Sequence, residues 1–243
     1  MERTAPAKEP RPQKEPRPRK EPGWPRVAIC MQVEIWSDVV CPWCYLGKRR
    51  FERALESFGH RDDVTVVYRS FELDPGAAPG VTTPVVEVLA ARYGMSTEQA
   101  RDAQRQMEQR AAQDGLDFHM DHLRSGSTRD AHRLLHLAKA RGRQAELAER
   151  LYRAYFSEQA SVFDRSSLTE LAAEAGLDPS DVARVLDSDE YGEAVAADEA
   201  EARSLGVTGV PFFAIDRRYG ISGAQPADAI AAALDRSWAE TGS

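Results

Sequence analysis

Asp38-Val39-Val40-Cys41-Pro42-Trp43-Cys44-Tyr45 decides how the rest of this 243-residue chain is read. A strand-like run, Val33-Glu34-Ile35-Trp36, leads into it, and a helix-like run, Tyr45-Leu46-Gly47-Lys48-Arg49-Arg50-Phe51, leaves it. Two cysteines separated by two residues at such a junction have the spacing of a redox-active dithiol. At a helix N-terminus the unpaired N–H groups and aligned peptide dipoles favour negative charge, so the first cysteine is stabilised as thiolate. A free thiol titrates near ~8.5, and each unit of depression is worth about 1.4 kcal/mol. Pro42 suits the first helical turn, where its missing N–H is no loss. Cys41 is thus the expected nucleophile and Cys44, one turn inside, the resolving thiol. Half of a zinc site, or two inert buried thiols, are the competing readings. Zinc takes four ligands, and no second C-x-x-C or His-Cys cluster follows.

With 42% apolar residues the chain can bury a substantial core. Its net charge of −7 is unevenly placed: residues 1–26 carry eight Lys/Arg and four Glu, so the body is acidic. An acidic body argues against nucleic acid as the partner. No apolar run reaches the ~18 residues of a membrane span. Val27-Ala28-Ile29-Cys30-Met31 is shorter than the ~7–15 residues of a signal-peptide core, and a cytoplasmic location is expected. Three cysteines, two of them in one motif, do not make a secreted disulfide framework.

Residues 1–30 read as a disordered tail rich in Pro, Lys, Glu and Arg, holding the near-repeat Lys8-Glu9-Pro10-Arg11-Pro12 and Lys14-Glu15-Pro16-Arg17-Pro18. The folded part begins at Met31, which offers an alternative translation start; Cys30 lies just outside and is incidental. Strands are expected over Gln32–Ser37 and Val64–Tyr68, flanking a helix over Cys41–Phe58, a βαβ unit. Residues 84–205 then read as helix with almost no strand signal. Helices are predicted after the capping box Ser96-Thr97-Glu98-Gln99, from Ser127-Thr128 to Arg141, after Asp164, after Asp178-Pro179, and over 189–205. Strands resume at Gly209–Ile215 and Gly220–Ser222, and a closing helix from Gln225-Pro226 packs through Ile230, Leu234 and Trp238. The expected organisation is a sheet domain of 31–83 and 206–243, with 84–205 as an inserted helical subdomain.

Four motifs in order make the chain resemble the DsbA family of thioredoxin-like oxidoreductases: Ser37–Cys44, Asp130-Ala131-His132-Arg133-Leu134, Gly209-Val210-Pro211-Phe212-Phe213 and Ser222-Gly223-Ala224-Gln225-Pro226. The nearest likeness is to its cytoplasmic FrnE-like branch, related to 2-hydroxychromene-2-carboxylate isomerases and kappa-class glutathione transferases. The resemblance spans about residues 31–240. It implies an α/β, thioredoxin-like fold with a large all-helical insertion and a cis Val210-Pro211 bond beside Cys41. That loop would offer its backbone edge to a substrate chain. Trp43 stands where the periplasmic DsbA pattern has histidine, which implies a less oxidising couple.

The expected activity is disulfide exchange through Cys41 and Cys44, with Pro42, Trp43, Val210, Pro211 and His132 forming the substrate site. No organic cofactor or metal is expected, although glutathione is a candidate redox partner. Substrates would be thiol- or disulfide-bearing proteins or small molecules, with a cellular reductant, for a monomer or homodimer. A glutathione-dependent isomerase or transferase of a small aromatic or polyketide-like molecule is the alternative, and a chaperone-like binder a third. In the isomerase branch serine replaces the first cysteine. Asp38 reads as a turn residue capping its own backbone, or as a proton acceptor for a thiol. His132 and His136, four apart, read as surface or packing residues rather than a metal face. Asp130 and His132 are expected to frame the cleft, and Phe118, Tyr152, Tyr155 and Phe156 to sit in the core, with a hydrophobic substrate groove as the alternative place for a few of them.

Overall fold

The computed structural model describes Met1 and residues 30–241. The tail expected over 1–30 therefore lies, but for Met1 and Cys30, outside the described residues. β1 (Met31–Ser37) leads into α1 (Pro42–Ser57) and β2 (Val64–Ser70). β5 (Phe212–Ile215), β6 (Tyr219–Ser222) and α9 (Ala227–Thr241) close the chain, and a largely helical stretch falls between these two groups. The main sheet has the order β2-β1-β5-β6, with β1 parallel to β2 and the other pairs antiparallel. This is a thioredoxin-like sheet entered from two distant parts of the sequence.

β1 is covered on both faces, and its alternation shows by what. Val33 and Ile35 join Phe51 and Phe58 of α1, Phe213 and Ile215 of β5, and Ile230 and Leu234 of α9 in one buried cluster. Trp36, on the opposite face, packs with Ala214, Val207 and Ala202. A strand buried on both sides is consistent with the central position of β1. The turn from β5 to β6 places Asp216 and Arg217 at φ 49° and 55°. Two successive left-handed residues suit the twist of a tight hairpin.

Between β2 and β5 lie α2 (Val85–Tyr93), α3 (Thr97–Gln113), α4 (Arg129–Ala140), α5 (Gln144–Phe156), α6 (Arg165–Glu174), α7 (Pro179–Leu186) and α8 (Gly192–Ser204). The capping box at Ser96 and Gln99 is formed in both directions, and Asp178 caps Ser180 N ahead of Pro179. Three expectations need correction. The first helix starts at Pro42 rather than Cys41, which serves as its N-cap, and the last helix of this region starts at Gly192 rather than 189. A short ribbon pairs β3 (Thr83–Pro84) with β4 (Arg124–Ser125), so the region is not purely helical. Inside the stretch read as helix, α2 and α5 are full helices although neither Pro84 nor Arg143 makes a side-chain cap. Without a cap signal their starts are set by packing, as helix stability in proteins mostly is.

Candidate active site

Cys41 is held at the start of α1 by a tight turn, its N–H donating to Asp38 O at 3.1 Å. Its own carbonyl accepts from Cys44 N at 3.0 Å and Tyr45 N at 3.3 Å, the first bonds of the helix. Pro42 occupies the first helical position. Both cysteines are free thiols and both are buried, Cys41 at 4% and Cys44 at 2% exposure. They differ in what they face. Cys41 lines a cleft of about 400 Å³, whereas Cys44 does not. Burial, then contact with the Cys41 sulfur and the nearby Cys41 and Asp38 charges, pushes the Cys44 thiol well above its ordinary value, outweighing a backbone hydrogen bond at Asp38. Such a thiol stays protonated until a base relieves it.

The Val210-Pro211 peptide is cis. Val210 O accepts a hydrogen bond from Cys41 Sγ at 3.6 Å, and Thr208, Gly209 and Val210 line the cleft. Pro211 is buried and does not line it; its carbonyl is taken by Gly223 N at 2.8 Å. The ledge that a substrate meets is therefore Val210 and the two residues before it. Gly223, in the Ser222–Pro226 motif, acts by fixing Pro211 from behind.

Asp38 is not a turn residue capping its own backbone. Its side chain is 1% exposed, with Oδ2 accepting from Leu73 N at 2.8 Å and Oδ1 lying 3.3 Å from His132 Nε2. His132, expected on a surface or in packing, is also 1% exposed and reaches Asp38 from α4. Burial opposes its charge, but the Asp38 hydrogen bond and the charges of Asp38, Glu72 and Glu199 outweigh that and raise its titration. Its Nδ1 is buried without a partner. Burial, with the Glu199 and Asp38 charges, raises the Glu72 carboxyl as well, against the lowering effect of His132 and Arg129.

The Asp130–Leu134 motif thus divides its labour. Asp130 pairs with Arg133 at 2.7 Å and, like His132, does not line the cleft, correcting the expectation that these two frame it. Arg133 clamps the turn before α8 by donating to Glu190 O, Val185 O and Ser188 O. His136 goes elsewhere, to Ser70 Oγ at 3.1 Å and Asp198 at 3.2 Å, so the two histidines do not converge on one point. Among the described residues no cluster of three His, Cys, Asp or Glu could hold a metal ion.

The cleft walls are largely apolar: Pro42, Leu73, Val85, Val88, Leu89, Met120, Leu123 and Phe156 all contribute. The sequence places a helix here but does not show which of its side chains wall the cleft, because Val85-Val86-Glu87-Val88-Leu89 carries apolar residues on more than one face. No residue of α2 is buried. Phe118, Tyr152, Tyr155 and Phe156 are buried as expected, with Tyr155 and Phe156 also reaching the cleft. Tyr45 stacks on Tyr152 at 4.9 Å, tying α1 to α5 directly behind the dithiol. Trp43 is 38% exposed, with the Arg110 guanidinium 5.2 Å from its ring centre. Cys30 is exposed at the far end of β1 and takes no part.

A thioredoxin-type sheet with a dithiol at the head of α1, faced by a proline loop, defines the class of thioredoxin-fold proteins. Within that class the chain belongs to the DsbA-like thioredoxin domain family, whose model matches residues 32–235. A crystal structure of a probable DsbA oxidoreductase from Streptomyces coelicolor is 53% identical and superposes with a TM-score of 0.83, covering 86% of this chain and 91% of that one. YwbO, an uncharacterized protein of Bacillus subtilis, is 28% identical over 76% of this chain and 86% of its own length. The cytosolic disulfide reductase DsbM of Pseudomonas aeruginosa shares the fold at 17% identity, with a TM-score of 0.60 over 85% of this chain and 98% of its own.

Proposed function

We propose that the protein is a thiol-disulfide oxidoreductase working through the Cys41-Pro42-Trp43-Cys44 dithiol. The observation that carries this reading is the division of the pair: two thiols in contact, one at a helix start in a cleft, the other buried behind it. In the reducing direction Cys41 Sγ, as thiolate, attacks a substrate disulfide. One substrate sulfur leaves and takes up a proton, and a Cys41–substrate mixed disulfide forms. Cys44 then gives its proton to Asp38, the buried carboxylate that also lines the cleft, and attacks Cys41 Sγ. The second substrate thiol is released, the Cys41–Cys44 disulfide forms, and two electrons have passed to the substrate. The oxidising direction is the reverse. A cellular thiol such as glutathione would return the pair to its starting state.

The site residues follow from this. Val210 and Trp43 border the thiol and would hold the substrate, Pro42 starts the helix, and Pro211 seats the ledge. His132 holds Asp38 in place. The apolar walls suit an extended or unfolded chain, because a thiol at the floor of a 400 Å³ cleft is out of reach of a folded surface. Among the described residues no helix is long and apolar enough to cross a membrane. We place the protein in the cytoplasm, as a monomer or homodimer, on the acidic body and the family likeness. The glutathione-isomerase reading gains nothing from a cysteine at position 41, where that branch carries serine.

The test is insulin reduction together with capture of the intermediate. Cys41→Ser should abolish turnover, and Cys44→Ala should accumulate a mixed disulfide with its client on a non-reducing gel. Asp38→Asn should slow resolution of that species by about 100-fold. Full turnover by Cys41→Ser would sink the proposal, and in that case an isomerase assay with glutathione becomes the relevant measurement.

A further inference from the structure

We propose that Arg110, with Gln106, Gln109 and Gln113, forms a docking trough for an acidic residue of the substrate polypeptide next to its reacting cysteine. This rests on the disulfide-exchange reading and adds a substrate class to it. The four residues are spaced i, i+3, i+4 and i+7 along α3, so they share one helical face. With Arg50 of α1 they line a surface trough of about 290 Å³ that contains no carboxylate. Arg50 and Trp43 are seven residues apart on α1, two turns along the same face, so the trough runs towards the dithiol. Arg110 makes the junction, its guanidinium lying over the indole of Trp43.

The charge state of the trough separates Arg110 from its neighbours. Arg50 is committed to Asp114, at 2.8 and 3.0 Å, and to Ala224 O at 2.6 Å. Arg49, Arg53, Arg105, Arg141 and Arg153 are likewise paired with carboxylates. Arg110 is exposed and, among the described residues, makes only the indole contact. A guanidinium over an aromatic face spends none of its N–H donors on that contact, so its fork stays free to take a carboxylate in two parallel hydrogen bonds. The three glutamines supply donors and acceptors matched to peptide amides. On a body that is otherwise acidic, a cation held over Trp43 selects which chains approach in register; Arg92, also without a carboxylate partner among the described residues, stands on the α2 wall of the cleft and not in the trough.

Three peptides settle it, identical except for Glu, Gln or Lys two residues after a cysteine carried as its mixed disulfide with 2-mercaptoethanol. In the wild-type protein at low salt, kcat/KM should favour Glu over Gln by about tenfold, the size of one hydrogen bond to a charged group. The preference should fall below about twofold in Arg110→Gln, reverse between Glu and Lys in Arg110→Glu, and shrink in 0.5 M salt. An unchanged Glu/Gln ratio in either variant overturns the proposal. So does an equal slowing of all three peptides, which would mean that Arg110 tunes the thiol rather than reading the substrate. A preference seen with glutathione disulfide but not between the peptides overturns the polypeptide assignment. If neither the peptides nor bis(2-hydroxyethyl) disulfide react with the wild-type protein, it is the disulfide-exchange reading that fails, and the trough with it.

Discussion

Asp38 and His132 lie 94 residues apart in sequence and meet as a buried pair next to the dithiol. Asp38 is anchored from its other oxygen by Leu73 N, so its carboxylate cannot swing away when His132 changes charge. The linkage has a definite sign. His132 titrates higher in the fold than its ordinary value near ~6.5, so its contribution is complete below that pH and is lost as pH rises through the folded value. His132→Asn should therefore destabilise the protein more at pH 6 than at pH 9, by about 3 kcal/mol at the lower pH. Urea unfolding midpoints at the two pH values check this. A difference that grows towards pH 9 would show that the imidazole is held neutral instead.

At the scale of elements, α1 must serve two neighbours at once. One face carries Tyr45 and Lys48 towards α5, where Tyr45 Oη and Lys48 Nζ both donate to the Glu149 carboxylate. The other face meets the proline loop through Gly47. A methyl group at that position would lie 2.8 Å from Pro211 Cγ and 3.4 Å from the Phe213 ring. Alanine would gain up to ~1 kcal/mol of helix propensity. It would also overpack a rigid proline ring, which costs about 1–3 kcal/mol and moves the loop that borders Cys41. The second effect should win. Gly47→Ala is expected to lower the urea midpoint and to reduce kcat/KM for peptide disulfides, and an unchanged midpoint with unchanged kinetics would refute the close-packing account.

Across the whole molecule, the helices between β2 and β5 are bound to the sheet by charge as well as by apolar packing. Glu34 of β1, 1% exposed, accepts from Arg69 of β2 and from Arg217 in the β5–β6 turn. Arg69 continues to Asp198 of α8 at 2.8 Å, and Asp198 also receives Ser70 N, while its carbonyl takes Trp36 Nε1. Burial pushes the Glu34 carboxyl up, yet the bonds from Arg217 and Arg69 hold it below its usual range. A depressed acid contributes stability above its unfolded value near ~4.3 and loses it as pH falls through the folded one. Glu34→Gln should cost about 3 kcal/mol at pH 7, with the gap to wild type narrowing below pH 4. Chemical denaturation across that range measures it, and a neutral effect at pH 7 would mean that Glu34 adds nothing to the hold that Arg69, Asp198 and the apolar contacts already provide.

Local chemistry in the sequence determined the dithiol and its place at a helix start, both pairs of sheet strands, and those helices whose first residues carry a cap, as at Ser96 and Asp178. Each depends on a few neighbouring residues, so it survives without knowledge of the rest of the chain. Only the tertiary structure decided where the uncapped helices α2 and α5 start, the inward turn of Asp38 and His132, the seat of Pro211 on Gly47 and the contact of Arg110 with Trp43. These are settled by which surfaces exclude water together, and residues 64 to 169 positions apart become neighbours only after packing brings their elements into register.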